Sequence, residues 1–214
     1  MTFFKDRRDA GRRLAERLVH LRDERPIVLG LPRGGVPVAY EVAKALGAPL
    51  DVLVVRKLGA PVQPELALGA VGPGGIRVVN DDAVAGLGVD AETLDRITER
   101  ERREVDERTR RLRGDRPFPD VRGRTVVVVD NGIATGSTML AAVAVLRRLG
   151  PRRIVAAAPV MPPDAVARFE LAADEVVCID APEDFLAVGR WYEDFEQTTD
   201  EEVEGLLHAE AEAA

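Results

Sequence analysis

The sequence predicts an α/β fold in which a parallel sheet carries helices on both faces. Short apolar, β-branched segments alternate with segments whose apolar residues have helical spacing. The strand segments are continuous apolar runs, as expected for strands buried on both faces. Glycine-rich turns follow several of these runs, at the sheet edge where parallel sheets bind ligands. Alternation of this kind requires crossover connections and gives a doubly wound, Rossmann-like sheet.

The amino-terminal part predicts an amphipathic helix over residues 9–21, because Leu14, Leu18 and Leu21 form one apolar stripe among arginines and glutamates. An apolar run bounded by proline and glycine comes next, and Gly47 is placed to end the helical pattern that follows it. These signals predict a strand over 26–31, a helix over 36–46 and a strand over 50–55.

The middle of the chain departs from this alternation. Residues 66–71 and 76–79 surround a Gly-Pro-Gly-Gly turn and predict a hairpin, a small hood beside the sheet. A charged helix over 91–112 follows, with three Glu–Arg pairs at the favourable four-residue spacing. The pairs are Glu99 with Arg103, Glu104 with Arg108 and Glu107 with Arg111. We expect these arginines to form a solvated face, and the thin apolar stripe to lie across the domain or against a second copy in a homodimer.

The last part of the chain returns to strict alternation of strands and helices. Its clearest strand is a run of four valines after Thr125. The predicted strands cover 125–129, 154–158 and 175–179, and the predicted helices cover 138–149 and 164–172.

Length and composition limit the class of protein. The 214 residues, 46% of them apolar, suffice for one domain over 1–214 with its own core. The formal net charge of −7 argues against a nucleic-acid partner, because phosphate backbones are held by basic surface. No apolar segment has the length of a membrane span or the form of a leader, so we expect a cytoplasmic protein without a membrane partner.

Cysteine and histidine are too scarce for several kinds of site. Cys178 is the only cysteine, which excludes an internal disulfide and a cysteine-rich zinc module. His20 and His208 lie at opposite ends of the sequence, so a histidine metal site or a histidine-dependent hydrolase is poorly supported.

The strongest chemical signal is the turn that follows the four valines. It runs Asp130-Asn131-Gly132-Ile133-Ala134-Thr135-Gly136-Ser137-Thr138 and leads into a helix. Its glycines permit close approach of the backbone to a ligand, while its hydroxyls and the amides that begin the helix suit a phosphate monoester. Asp130 and Asn131 can hydrogen-bond the vicinal hydroxyls of a sugar. The pattern indicates a phosphorylated ribose; an ordinary strand-to-helix turn and an Asn-Gly hairpin are the alternatives.

Two further polar turns follow neighbouring strands. Leu31-Pro32-Arg33-Gly34-Gly35-Val36 offers the amides of Gly34 and Gly35 and the charge of Arg33 to an anion. Arg56 and Lys57 follow the strand over 50–55, where the alternative interpretation is a solvated strand end.

Aromatic residues are concentrated after the final strand. In a chain with 4% aromatic residues, the segment 181–192 contains Phe185, Trp191 and Tyr192. These rings can stack on a heterocyclic base; core packing and a dimer contact are the alternatives.

The turn over 126–138 resembles the phosphoribosyl-pyrophosphate (PRPP) signature of type I phosphoribosyltransferases, in which apolar residues, two acidic residues and a Gly/Thr-rich loop succeed one another. Arg33-Gly34-Gly35 is similar to the pyrophosphate loop of that family, and Arg56-Lys57 is similar to a pair in its adenine branch. The resemblance covers a core of roughly residues 26–192 and is closest to uncharacterised bacterial phosphoribosyltransferase-like proteins.

The resemblance implies a magnesium-dependent enzyme with PRPP as donor and a nucleobase-like acceptor. It implies that Asp130 and Asn131 hold the ribose hydroxyls, that Asp130 also contacts Mg²⁺, and that residues 134–138 bind the 5-phosphate. Arg33, Arg56 and Lys57 would then assist the leaving pyrophosphate. The segment from Leu58 through Glu65 would be the mobile loop that closes over the reaction.

One departure separates this chain from the family pattern. Asn131 stands where the family usually has a second carboxylate, so one negative charge near the positively charged transition state is missing. A non-catalytic regulatory protein that binds PRPP or a nucleotide is therefore an alternative to the transferase. A sugar-phosphate hydrolase is a third alternative, although it lacks an evident general base beyond Asp130. Ala134 occupies the position of an aspartate in 6-oxopurine enzymes, which argues against hypoxanthine or guanine as acceptor.

Overall fold

The computed structural model describes residues 3–64 and 66–211, and its elements alternate as the sequence predicts. The helices are α1 (Arg7–Leu18), α2 (Gly35–Leu46), α3 (Asp81–Gly86), α4 (Ala91–Arg113), α5 (Ser137–Leu149), α6 (Pro163–Glu170) and α7 (Asp200–Ala211). The strands are β1 (Ile27–Gly30), β2 (Leu50–Val52), β3 (Arg56–Gly59), β4 (Ala67–Val71), β5 (Arg77–Val79), β6 (Thr125–Val129), β7 (Arg153–Val160) and β8 (Glu175–Asp180).

A five-stranded parallel sheet forms the centre, with strand order β2-β1-β6-β7-β8. The chain moves from β1 outward to β2 on one side and from β6 outward to β7 and β8 on the other. The order therefore reverses between β1 and β6, whose carboxyl ends are neighbours. Open α/β sheets bind their ligands at such a reversal, because the loops diverge there and leave a crevice.

The valines of β6 show how both faces of the sheet are buried. Val127 and Val129 pack into a core with α1, α2 and α7, while Val126 and Val128 pack into a second core with α5 and α6. Successive side chains of a strand point to opposite faces, so an unbroken valine run supplies both cores. The prediction of helices on both faces is confirmed.

A three-stranded antiparallel sheet, in the order β3-β4-β5, lies beside the central sheet. The predicted hairpin is confirmed as β4 and β5. The prediction that Arg56 and Lys57 lie in a turn after a long strand is wrong, because β2 ends at Val52 and both residues belong to β3. The predicted mobile loop ends at Glu65, and that residue lies outside the described part of the chain.

The long charged helix presents most of its arginines to solvent, as predicted, but most of its predicted local pairs do not form. Of the three predicted pairs in this fully described helix, only Glu99 with Arg103 forms, at 3.2 Å. Arg108 and Arg111 contact other parts of the chain, and Arg113 is buried. Tertiary partners replace the local pairs because α4 packs against β3 and α7. Over residues 3–64 and 66–211, none of the helices combines the length and apolar character of a membrane span.

Candidate active site

The loops after β1 and β6 meet at the reversal of strand order. The amide of Leu31 donates to the carbonyl of Val129 at 2.8 Å, which holds the start of one loop against the end of the neighbouring strand. A Cβ at Gly35 would lie 2.6 Å from the same carbonyl oxygen. Real side chains do not tolerate such distances, so glycine permits this contact between the two loops.

The loop after β6 is shaped by two glycines with positive φ. Gly132 has φ +155° and lies against Val188, and Gly136 has φ +76° and lies against Phe169. Gly136 immediately precedes α5, whose first amides have no partner within the helix. Beside them, the hydroxyl oxygens of Thr135 and Ser137 are 3.4 Å apart. Amides and hydroxyls at a helix start can together bind a phosphate group.

Asp130 is the acid at the head of this loop. Its Oδ1 accepts a hydrogen bond from the amide of Asn131 at 2.8 Å. Burial raises the pKa of Asp130 to about 7, although that amide and the positive charge of Arg7 act in the opposite direction. Near neutral pH this carboxyl can therefore be present in either protonation state.

The side chain of Asn131 connects the acid to helix α1. Assigned from its neighbours, the amide nitrogen donates to Asp130 Oδ1 at 3.0 Å and the amide oxygen accepts from Arg7 Nε at 3.1 Å. The backbone carbonyl of Asn131 accepts a hydrogen bond from the Tyr192 hydroxyl. Asn131 occupies the position where the family usually has a second carboxylate. It is held there by the cation Arg7 and by Tyr192 from the carboxy-terminal part of the chain.

Arg33 is part of a group of arginines near the loop after β1. Its side chain pairs with Asp200 at 3.6 Å, and Arg111 pairs with the same carboxylate at 3.3 Å. Arg108 donates to the carbonyl of Pro32 at 3.4 Å. The peptide bond between Pro32 and Arg33 is cis.

One cavity of about 410 Å³ brings Arg56 and Lys57 to the loop after β6. Its remaining polar lining consists of Thr135, Ser137, Thr138, Arg100 and Glu101. Glu101 is buried, and its carboxylate pairs with Arg56 and Arg100, each at 2.9 Å. The cavity therefore joins hydroxyl groups at a helix start to cations in a volume that accommodates a small ligand.

The family model of the phosphoribosyl transferase domain matches residues 5–190. The chain belongs to this family. Two Mycobacterium tuberculosis proteins, provisionally named phosphoribosyl transferases, are 54% identical over 207 residues; the match covers 97% of this chain and 47% of each relative. This phosphoribosyl transferase domain thus spans about half the length of those relatives.

One solved structure and one shorter match are also similar to this chain. The crystal structure of TT1426 from Thermus thermophilus superposes with a TM-score of 0.88 at 50% identity, covering 96% of this chain and 98% of that one. A ribose-phosphate pyrophosphokinase of Pyrococcus furiosus is 41% identical over 59 residues, which is 27% of this chain and 21% of the relative.

The aromatic residues of this phosphoribosyl transferase domain do not share one surface. Phe185 and Trp191 line a second cavity, of about 570 Å³, and Phe3 stacks on Trp191 at a centroid distance of 6.1 Å. Tyr192 instead packs against Phe4 in the core. Burial raises the pKa of the Tyr192 hydroxyl, which stays protonated as a donor to Asn131. Of the three predicted stacking residues, Trp191 and Tyr192 are both buried in one core cluster with Phe4, and Phe185 packs against that cluster.

The chemistry of the loop after β6 fits a magnesium ion that arrives with a phosphorylated ligand. The carboxylate of Asp130 is the hard oxygen ligand that Mg²⁺ prefers, and Mg²⁺ is commonly bound by one or two carboxylates together with substrate phosphates. Within residues 3–64 and 66–211, no three His, Cys, Asp or Glu residues form a cluster able to hold a metal without such a ligand. In this loop Asp130 is the carboxylate that would hold such an ion.

Sequence patterns missed four residues that surround the predicted ones. They are Arg7, Glu101, Arg108 and Asp200. Each reaches the site from a helix far away in the sequence, so no local motif contains it. A signal was available for Glu101, which falls on the apolar stripe of α4, four residues after Ile97 and four before Val105.

Proposed function

We propose that this chain transfers ribose 5-phosphate from PRPP to a nitrogen acceptor, a nucleobase or similar heterocycle, and releases pyrophosphate. One observation carries the proposal: an acid, a phosphate-binding helix start and a set of cations converge on the reversal point of the sheet. PRPP contains the complementary groups: a diol for the acid, a 5-phosphate for the helix start and a pyrophosphate for the cations. Family membership supports the reaction class. The heterocyclic acceptor is inferred from the aromatic side chains on which such a ring can stack.

The proposed roles divide the donor among the loop after β6, the loop after β1 and strand β3. Residues 134–138 bind the 5-phosphate through backbone amides and the hydroxyls of Thr135, Ser137 and Thr138. Asp130 and Asn131 hold the ribose hydroxyls, and Asp130 contacts the magnesium ion, which supplies positive charge to the pyrophosphate when bound. The protein's contribution is positioning and electrostatic stabilisation rather than a covalent nucleophile.

The leaving pyrophosphate is bound by cations of the loop after β1 and of strand β3. Arg33, with the amide of Gly34, and the pair Arg56 and Lys57 stabilise the negative charge that develops on pyrophosphate as the glycosidic bond breaks. The amide of Gly35, which the sequence also predicted to bind the anion, donates instead to the carbonyl of Leu31 at 3.0 Å. Glu101 positions Arg56, because its buried carboxylate holds the guanidinium at 2.9 Å. On the acceptor side, Phe185 and Trp191 line the cavity in which a planar heterocycle can stack.

The test follows pyrophosphate release from PRPP and Mg²⁺ in the presence of a panel of nucleobases. Release that depends on one base and is abolished by Asp130→Ala supports the transferase. The matched control is Asp120→Ala, which removes an exposed carboxylate before β6 and is expected to keep full activity. Absence of PRPP binding to the parent chain counts against the whole proposal.

A regulatory PRPP-binding or nucleotide-binding protein is the second candidate, and Asn131 is the observation that favours it. The residue replaces a carboxylate and is hydrogen-bonded to both Asp130 and Arg7, so it can retain ligand contacts without the extra negative charge. Saturable PRPP binding without pyrophosphate release for every base tested supports this candidate over the transferase.

A further inference from the structure

Arg108 on helix α4 is a half-buried cation without a carboxylate partner in the described chain. Its one hydrogen bond there goes to the carbonyl of Pro32, at 3.4 Å. By contrast, the neighbouring arginines are neutralised: Arg33 pairs with Asp200, and Arg56 pairs with Glu101. A neutral carbonyl at that distance compensates poorly for removing a guanidinium from water.

The charges around Arg108 make its position still less favourable. Burial lowers the pKa of its guanidinium, and the positive charges of Arg33, Arg56 and Arg111 lower it further, while Asp200 acts in the opposite direction. This local excess of cations occurs in a chain whose formal net charge is −7. Proteins concentrate like charges in this way where a ligand of opposite charge binds.

We propose that Arg108 binds the pyrophosphate group of the donor, as a third arginine beside Arg33 and Arg56. The inference rests on the proposed function and adds a residue that lies outside all the motifs of the sequence. Its hydrogen bond to Pro32 places Arg108 at the loop after β1, whereas the hydroxyls suited to the 5-phosphate follow β6. A planar guanidinium can donate two parallel hydrogen bonds to a phosphate, which a lysine cannot reproduce.

The experiment compares two probes that carry the two anionic ends of the donor separately. Calorimetric titrations with inorganic pyrophosphate and with ribose 5-phosphate, both with Mg²⁺, are made on the parent chain and on Arg108→Ala. We expect the pyrophosphate Kd to rise by about tenfold to a hundredfold, as for loss of a charge-assisted hydrogen bond. The ribose 5-phosphate Kd is expected to stay within about twofold, because its phosphate binds the other loop.

The matched control is Arg103→Ala. It removes the same charge from the same helix, but Arg103 is exposed and pairs only with Glu99 among the described residues. We expect this variant to bind both probes like the parent. Arg108→Lys is expected to recover only part of the pyrophosphate affinity, since it keeps the charge and loses the planar fork.

Several outcomes would overturn the inference. Unchanged pyrophosphate affinity in Arg108→Ala does so while leaving the proposed function intact, and so does an equal loss for both probes. Failure of the parent chain to bind either probe counts against the proposed function instead. Should Arg108→Ala unfold, Arg108→Gln keeps the length of the side chain, and a folded Gln variant with parental pyrophosphate affinity would equally refute the role.

Discussion

The backbone of Gly34 lies directly against the side-chain amide of Asn131. A Cβ at position 34 would be 2.5 Å from the nearer terminal atom of that amide and 2.9 Å from its Cγ. The backbone of Gly34 is right-handed helical, with φ −61° and ψ −29°, so its conformation alone does not require glycine. Steric contact between the loop after β1 and the loop after β6 is the reason for glycine at this position.

We expect Gly34→Ala to destabilise the fold and to weaken PRPP binding, because the added methyl displaces Asn131 from Asp130. Combining it with Asn131→Ala should recover about 0.5–3 kcal/mol of unfolding free energy relative to additivity, measured by urea denaturation. Gly205→Ala is the control, since a Cβ there meets open space inside α7 and is expected to stabilise by about 0.5–1 kcal/mol. Strict additivity of the two site substitutions would contradict the steric explanation.

The raised pKa of Asp130 makes stability depend on pH with a definite sign. The folded chain holds this proton up to a pKa of about 7, whereas the ordinary pKa of an aspartate is 3.8. Between those values the folded state binds more protons, so stability falls as pH rises and levels off above neutrality. Asp130→Asn lacks this dependence. We expect its melting temperature to exceed the parent's by about 2–5 °C at pH 8, with a smaller difference at pH 5. A difference in melting temperature that stays constant between pH 5 and pH 8 would argue against a raised pKa of Asp130.

Asn131→Asp is expected to raise turnover by about tenfold if the chain is a transferase, because a second carboxylate stabilises positive charge in the transition state. Donor Kd should change little, since the hydroxyl contacts persist. Arg7, which lies 3.1 Å from the amide oxygen, is placed to compensate the new charge beside Asp130. Steady-state kinetics against Asn131→Ser, a polar change without charge, isolates the effect. Turnover at or below the parent's value would refute the idea of a missing charge.

The buried ion pair between Arg113 and Asp51 leads to a prediction about stability rather than catalysis. Arg113 is 5% exposed and its guanidinium lies 2.5 Å from the carboxylate, whose pKa burial raises despite that cation. Removing one partner leaves the other charge buried, so Arg113→Ala should cost about 3–5 kcal/mol in chemical denaturation. Arg110→Ala, at an exposed position of the same helix, should stay within about 0.5 kcal/mol of the parent. Similar losses for both variants would contradict this account.

Local patterns sufficed for the central sheet and for the loop after β6. The valines of β6 and the glycines that follow Asp130 are adjacent in the sequence, so periodicity and turn chemistry predict them directly. The break after Val52 was not predicted, because apolar residues 53–55 continue the strand pattern while tertiary packing ends it. The contact of Arg108 with Pro32 was likewise not predictable. Four-residue spacing within a helix does not show that the side chain contacts a distant loop instead.

The surroundings of Asp130 are completed by the two parts of the chain that are farthest apart in sequence. Arg7 donates to the carbonyl of Glu196, 189 positions away, while Phe4 pairs with Trp191 along the backbone. Contacts of such separation form late in folding, because closing a long loop costs entropy before it is rewarded. On the ribosome, a growing chain therefore has the loop after β6 well before that loop acquires Arg7 and Tyr192 together. A chain that ends before Tyr192 lacks the hydroxyl that donates to the carbonyl of Asn131 beside the acid.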